Sequence, residues 1–212
     1  MMFLEPWSKR HKKVTGSAAF SLSNSFVEPL TNAELISLSL ARGDQQIIDE
    51  FHEHSLVYTP NGGSLDLRQE IANLYGTNIC ADNILVFSGG QVALQTAATA
   101  IVGKNSHSIV FSPGYQSVQQ APIQAGSQLT TIQLYAENHW QIDPRMVEAA
   151  IQKNTRYMVI NEPYNPAGTL MKAGLQQQLR AIADRHGIYI LADEVYRLLE
   201  HDANDRLPAM AE

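Results

Sequence analysis

Cysteine is nearly absent from this chain of 212 residues, which contains only Cys80. A single thiol excludes a framework of disulfide bonds within the chain and is typical of a protein that folds in a reducing compartment. The sequence therefore predicts a cytoplasmic location. Cys80 lies in the stretch TNICADNILVF, where it is predicted to fill a small half-buried space rather than to act as a reactive thiol.

Long hydrophobic runs and dense positive charge are also missing. No apolar run approaches the ~20 residues that span a bilayer, and the start MMFLEPWSKRHKK has too short an apolar patch for a signal peptide. Acidic residues outnumber Lys and Arg by 21 to 15, which gives a formal net charge of −6. Basic residues cluster only at positions 8–13, which argues against nucleic acid or a membrane as the main partner.

The seven histidines show no spacing that is typical of a metal site. His52 and His54 stand two residues apart on a predicted helix and therefore point to different faces. The sequence thus predicts no metal centre. The hydrophobic fraction of 44% instead predicts a globular protein with a substantial core.

Two regions of different character divide the chain near residue 55. Residues 1–54 are predicted to form an N-terminal arm followed by helices. Thr31 is a candidate helix N-cap, with Glu34 three residues later and Gly43 beyond the end of the helix. Residues 55–212 are predicted to form the main domain.

From residue 84 onward, short apolar segments alternate with helical patterns. The five predicted strands are 84–88, 108–112, 129–134, 156–161 and 188–193. Asp143 and Pro144 are predicted to begin the helix before the fourth strand. Short apolar strands that alternate with helices are typical of a parallel sheet with both faces covered. The sequence therefore predicts an α/β fold with a mainly parallel sheet sandwiched by helices.

Polar and aromatic side chains of different kinds follow four of these strands. In open α/β sheets, ligands bind beyond the carboxyl ends of the strands, so the residues that follow each strand are the candidates. They are Ser88, Gly89, Gly90 and Gln91 after the first strand, Tyr115 after the second, Asn165 after the fourth, and Asp193 and Tyr196 at the end of the fifth.

Each of these groups has a binding role and a simpler explanation. The SGGQ turn before a helix suits a phosphate, although an ordinary strand-to-helix turn explains the tetrapeptide alone. Tyr115 either stacks on a flat ring or packs at the surface. Asn165, between two prolines, offers its amide to a phenolate oxygen, with Tyr196 as a second donor, or simply belongs to a turn. Asp193 pairs with a protonated ring nitrogen or a structural arginine, or caps a helix.

Pyridoxal 5′-phosphate (PLP) carries a phosphate, a flat ring, a phenolic oxygen and a ring nitrogen that must stay protonated, and so suits all four groups. The segments NEPYNPAG and ADEVY resemble the paired signature of class I/II aminotransferases, which are PLP enzymes of fold type I. YTPNGGSLDLRQEIA and ILVFSGGQVAL fall where that family has its Tyr–Gly–Leu-Arg segment and its phosphate turn. The resemblance covers about residues 55–200.

The resemblance implies a role for each candidate residue. Ser88, Gly89, Gly90 and Gln91 would bind the phosphate, Tyr115 would stack on the ring, Asn165 and Tyr196 would hydrogen-bond the phenolic oxygen, and Asp193 would pair with the ring nitrogen. The resemblance also implies a homodimer, because Tyr58 would reach the phosphate of a neighbouring subunit's cofactor. The substrates would be an amino acid and a 2-oxo acid. One position departs from the pattern, since Glu162 stands where the family often has asparagine.

The resemblance further implies that part of the enzyme lies outside this chain. The family's Schiff-base lysine follows the Asp-x-x-Tyr segment, but only RLLEHDANDRLPAMAE, without lysine, follows Tyr196. Lys153 and Lys172 stand in no matching motif. We therefore expect no catalytic residue in the chain, and expect residues 55–212 to be part of the PLP-binding large domain without the small C-terminal domain. The chain is predicted to be the inactive N-terminal portion of an aminotransferase.

Two other functions remain open from the sequence. The motifs bind a cofactor without selecting the reaction, so the parent enzyme could also be a lyase, a decarboxylase or an acyl-CoA condensing enzyme. The third hypothesis is a noncatalytic α/β binding module that keeps the cofactor pocket without the lysine.

Overall fold

The structure, a computed structural model, describes residues 25–212. The chain forms two compact units, which are divided between Thr59 and Pro60. Most of the N-terminal arm that the sequence predicts lies outside the described residues. The described part of the first unit contains helix α1, Asn32–Arg42, and helix α2, Gln45–Glu53.

Helix α1 has the ends that the sequence predicts. The Thr31 side chain accepts a hydrogen bond from the backbone N–H of Glu34 at 3.2 Å, and the Glu34 carboxylate accepts one from the backbone N–H of Thr31 at 2.7 Å. This reciprocal pair satisfies two N–H groups that would otherwise lack partners at the helix start. Gly43 follows the last turn in the left-handed region, with a φ of 87°, where a side chain would be strained.

The second unit is an α/β structure. Its helices are α3 Leu65–Ala72, α4 Gly90–Ile101, α5 Gln116–Gln124, α6 Pro144–Ala150 and α7 Ala173–His186, and its strands are β1 His107–Ser112, β2 Gln128–Gln133, β3 Thr155–Asn161 and β4 Tyr189–Asp193. The strands form one parallel sheet in the order β2-β1-β3-β4. Asp143 and Pro144 begin α6, as predicted. Among the described residues, no helix has the length and apolar character that crossing a membrane requires.

Helices cover both faces of the sheet, as the apolar strands predict. Ile109 of β1 and Met158 of β3 belong to a buried cluster with side chains of α6 and α7. Their chain neighbours Val110 and Val159 belong to a second cluster with side chains of α4 and α5. Successive side chains of a strand point to opposite faces of the sheet. The central strands therefore supply both cores.

One predicted strand is wrong. Residues 84–88 form no strand in the described part of the chain, although the other four predicted strands correspond to β1 to β4. The backbone of this segment bonds to a distant segment through the N–H of Val86, which donates to the carbonyl of Gly62 at 2.9 Å. The side chains of Leu85 and Phe87 are 68% and 37% exposed. A strand exists only when another strand pairs with it, and apolar composition alone does not reveal such a partner.

Cys80 also differs from its predicted environment. The residue is exposed rather than half-buried. Its neighbour Ala81, which begins a short 3₁₀ turn, takes the buried position with 6% exposure.

Candidate functional site

The chain changes its direction across the sheet between β1 and β3. It runs from β1 outward to β2 and then returns to place β3 and β4 on the other side of β1. In open parallel sheets, ligand sites form beyond the carboxyl ends of the strands at such a switch point. The strands β1 and β3 end here at Ser112 and Asn161. The loops that follow them carry several of the predicted site residues.

A tyrosine joins these two loops. The hydroxyl of Tyr164, in the loop after β3, donates a hydrogen bond to the backbone carbonyl of Pro113, in the loop after β1. Tyr164 is buried, and this burial raises the pKa of its hydroxyl to about 12. The hydroxyl therefore keeps the proton that it donates. Sequence reasoning missed this residue, because an aromatic residue in EPYNPAG does not show which loop its side chain contacts.

The predicted phosphate turn contacts the predicted stacking residue. Gln91, in the first turn of α4, donates through Nε2 to the hydroxyl of Tyr115 at 2.9 Å and to Oγ of Ser117 at 3.1 Å. Gly89 precedes the helix with a φ of 106°, which a residue with a Cβ atom rarely adopts. Within the described residues, the backbone N–H groups of Gly90 and Gln91 make no hydrogen bond, as is usual for the start of a helix.

The two residues predicted to bind a phenolic oxygen lie together. Nδ2 of Asn165 donates to the hydroxyl oxygen of Tyr196 at 3.3 Å. Asn165 follows β3 and Tyr196 follows β4, and these two strands are neighbours in the sheet. The sheet therefore brings side chains that are 31 positions apart in the sequence into contact.

The side chain of Asn161 forms two hydrogen bonds in this part of the site. Its Nδ2 donates to the backbone carbonyl of Asp193 at 2.9 Å, and its Oδ1 accepts from the backbone N–H of Asn165 at 2.7 Å. The sequence analysis did not single out Asn161. The signal was nevertheless present, because Asn161 is a polar residue at the end of an apolar strand, as Asp193 is.

The carboxylate of Asp193 is half-buried and forms no ion pair within residues 25–212. A structural arginine, one of the simpler explanations for this acid, is therefore not found in that range. Oδ1 accepts one local hydrogen bond, from the backbone N–H of Val195 at 3.3 Å. Burial raises the pKa of Asp193, and the bond from Val195 opposes that shift. A cation beside the carboxylate would offset the cost of burying its charge.

Glu162, the position that departs from the family pattern, has a structural contact in this chain. Its Oε1 accepts a hydrogen bond from the backbone N–H of Met171 at 2.7 Å, which closes the loop between β3 and α7. Burial raises the pKa of Glu162 to about 7, and the nearby acids Glu194 and Glu200 contribute to the increase. Near neutral pH, this carboxyl group is thus protonated in about half of the molecules.

Within residues 25–212, the side chains of two other predicted residues, Ser88 and Tyr58, form no hydrogen bond. Ser88 is exposed in the turn before α4. Tyr58 belongs to the first unit and is fully exposed. Of the two lysines considered from the sequence, Lys172 is exposed at the start of α7, whereas Lys153 precedes β3 and so lies at the amino end of that strand.

Comparisons with known proteins relate this chain to one family. The family described as aminotransferase class I and II matches residues 39–211. An aspartate aminotransferase of Pyrococcus horikoshii is 31% identical over 156 residues, covering 72% of this chain and 39% of the relative. Human tyrosine aminotransferase is 26% identical over 212 residues, covering 90% of this chain and 46% of the relative.

The solved structure of a PLP-dependent aminotransferase from Streptococcus suis has the same fold. It superposes with a TM-score of 0.85 at 26% identity, covering 100% of this chain and 56% of that one. The chain thus spans between 39% and 56% of the length of these three proteins. Because the family match extends over most of the sequence, this chain belongs to the aminotransferase class I and II family.

Proposed function

We propose that this chain binds PLP beyond the carboxyl ends of β1, β3 and β4, as part of an enzyme that transfers an amino group from an amino acid to a 2-oxo acid. The observation that carries the proposal is the carboxylate of Asp193, which is half-buried at a strand end and has no ion-pair partner within the described residues. The aminotransferase names of the relatives support the reaction class.

The groups around Asp193 fit the remaining parts of PLP. The N–H groups of Gly90 and Gln91 lie at the amino end of α4, where the partial positive charge of a helix favours a phosphate. The hydroxyl of Tyr115 accepts a hydrogen bond from the side chain of Gln91. The ring of Tyr115 therefore lies beside this turn and suits a stacking contact. Asn165 and Tyr196 supply an amide and a hydroxyl that suit the phenolic oxygen.

Asp193 would act through its charge. A carboxylate beside the ring nitrogen stabilises the protonated ring, and the positive ring in turn favours the ionised form of Asp193. When bound, PLP with a protonated ring supplies the electron sink for the reaction. Asn161 orients the backbone at Asp193 and at Asn165, so it would act as a positioning residue.

A PLP titration of the purified chain tests the cofactor site, with binding followed by absorbance. We expect the Asp193→Asn variant to bind PLP at least about tenfold more weakly, because a charge-assisted contact is lost while the shape is kept. Asp184→Asn is the matched control, since Asp184 is an exposed acid on α7. Equal PLP affinities of the two variants, or no PLP binding by the unsubstituted chain, would contradict the proposal.

The reaction needs a separate test, because the chain covers only part of the length of its relatives. The complete protein that the reading frame encodes would be assayed with pairs of amino acids and 2-oxo acids. Amino-group transfer is the expected result. Release of carbon dioxide or ammonia without transfer would instead support a decarboxylase or a lyase. PLP binding without turnover of any substrate would support a noncatalytic binding module.

The proposal includes a homodimer in the cytoplasm. Full exposure of Tyr58 is consistent with a role at the cofactor of a neighbouring subunit. We expect Tyr58→Phe to weaken PLP binding at protein concentrations at which sedimentation shows a dimer, and to have no effect on the monomer. The cytoplasmic location rests on the single cysteine, and cell fractionation would test it.

A further inference from the structure

Three basic side chains line an open groove at the amino ends of β1 and β3. The groove has a volume of about 750 Å³, and its lining includes Lys104, Lys153 and Arg156. Lys104 lies between α4 and β1, Lys153 lies between α6 and β3, and Arg156 is the second residue of β3. The groove therefore lies at the end of these strands opposite the proposed PLP site.

These three cations differ from most basic residues of the described chain. The basic residues that form ion pairs are Arg42, Arg68, Arg145, Arg185, Arg197 and Arg206. Lys104, Lys153 and Arg156 form none within residues 25–212, and no acidic side chain lines the groove. Like charges around one groove repel each other when no counter-charge is present. The whole chain, by contrast, has a net charge of −6.

The ends of nearby helices do not account for this much positive charge. Helices α4 and α6 both end shortly before the groove residues, and Gly126, which follows the end of α5, lies against Lys104. Each helix carboxyl end carries a partial charge of about −0.5, so three such ends contribute roughly −1.5. The three side chains together carry three positive charges. A surplus of roughly 1.5 positive charges is left for another anion.

The segments that carry the cations are held in place by hydrogen bonds. Nδ2 of Asn154 donates to the backbone carbonyl of Asn105 at 3.2 Å, which links the segment before β3 to the segment before β1. Oγ of Ser106 accepts from the backbone N–H of Gly103 at 2.8 Å, which closes the turn that contains Lys104. The groove is therefore built on ordered backbone rather than on a free loop.

We propose that this groove binds a small polyanion with two or more linked phosphate groups. Lysine and arginine are the side chains that bind phosphate oxygens most strongly, and three of them exceed what one phosphate requires. Asn105 and Asn154 also line the groove. The six residues of β1 put this groove roughly 20 Å from the proposed PLP site, so the two sites would bind their ligands independently.

Calorimetric titration with inorganic tripolyphosphate at low ionic strength tests the proposal on the chain as it stands. We expect the double variant Lys104→Gln with Arg156→Gln to bind at least about tenfold more weakly than the parent chain. The matched control is Lys172→Gln with Arg180→Gln, which removes the same charge from two cations outside the groove that form no ion pair within residues 25–212. The control should keep the parent affinity, and added salt should weaken binding.

Four results would overturn the proposal. The Lys104/Arg156 double variant and the Lys172/Arg180 control could lose tripolyphosphate affinity equally, which would indicate a general charge effect. Saturating PLP could displace tripolyphosphate, which would put the anion at the turn before α4. Orthophosphate could bind as tightly as tripolyphosphate, or RNA could bind while tripolyphosphate does not, which would exclude a site for linked phosphates.

Folding of the variants is checked separately by thermal unfolding without anion. Should the double variant fail to fold, the single change Lys153→Gln provides the test, because Lys153 is exposed in a turn. This variant should keep the parent unfolding temperature and show a smaller loss of tripolyphosphate affinity. Unchanged affinity for this folded variant would contradict the proposal.

Discussion

The side chain of Asn161 donates a hydrogen bond to the backbone carbonyl of Asp193 at 2.9 Å. The same side chain accepts one from the backbone N–H of Asn165 at 2.7 Å. One amide therefore couples the residues that we propose for the ring nitrogen and the phenolic oxygen of PLP. Asn161 and Asp193 are also partners in the register of β3 and β4. The contact forms where the sheet ends, which is where the proposed site begins.

Replacement of Asn161 by alanine should disturb the proposed site more than the fold. We expect Asn161→Ala to lower the free energy of unfolding by about 1 to 3 kcal/mol, because the backbone N–H of Asn165 loses its partner. The carbonyl of Asp193 keeps one partner, the backbone N–H of Glu162 at 3.0 Å. PLP affinity should fall about tenfold, as measured by titration of the folded variant. Asn138→Ala, at an exposed position, should change neither quantity. If Asn161→Ala binds PLP as well as Asn138→Ala does, Asn161 is not a positioning residue.

The two glycines at the amino end of α4 should respond differently to alanine. Gly89 has a φ of 106°, whereas Gly90 is helical, and a Cβ atom at either position would meet no atom within 4 Å. Gly89→Ala should therefore cost about 1 to 3 kcal/mol through backbone strain alone. Gly90→Ala should be neutral or stabilise the protein by up to about 1 kcal/mol, because alanine favours the helix. Chemical denaturation measures both, and equal effects would contradict the assigned backbone conformation.

Glu162 should make the stability depend on pH. Because burial raises its pKa from 4.5 to about 7, the folded protein holds a proton that the unfolded chain releases. Stability is therefore lost as the pH rises from 4.5 through 7, and the cost is constant above that range. Glu162→Gln should be more stable than the parent chain by about 1 to 3 kcal/mol at pH 8, and the difference should vanish below pH 4.5.

Denaturation of both proteins at several pH values checks this expectation. Glu137→Gln serves as the control, because Glu137 is an exposed acid in a short 3₁₀ turn. A constant difference between Glu162→Gln and the parent chain at every pH would show that Glu162 does not titrate as described.

His107 should make the stability depend on pH in the opposite direction to Glu162. Its ring is buried between strands, with Nδ1 2.8 Å from Oγ1 of Thr155 and Nε2 2.8 Å from Oγ1 of Thr130. Burial lowers the pKa of His107 below 6.5, so the unfolded chain binds the proton more readily. The stability that the neutral ring contributes is complete above pH 6.5 and is lost as the pH falls below it.

The measurement is the slope of the unfolding free energy between pH 7 and pH 5. His107→Gln should remove the part of this slope that is due to the buried ring, whatever its effect on the absolute stability. His201→Gln, at an exposed position outside the helices and strands, serves as the control. The expectation fails if both variants show the parent slope.

Local patterns in the sequence determined the cap at Thr31, the four paired strands and the residues at the strand ends. These features depend on neighbours within a few positions, through capping bonds and the burial of consecutive apolar side chains. The rule that ligands bind beyond the carboxyl ends of parallel strands then predicted the neighbourhood of Tyr115, Asn165, Asp193 and Tyr196.

Only the tertiary structure decided which of these residues touch. The contacts of Asn161 depend on the register between β3 and β4, and the bond from Tyr164 to Pro113 depends on β1 and β3 being adjacent. The same adjacency gathers Lys104, Lys153 and Arg156 around one groove. Residues 84–88 show the reverse case, because this apolar segment pairs with no strand among residues 25–212 and so forms none. Strand pairing joins segments that are distant in the sequence, so local periodicity does not reveal these contacts.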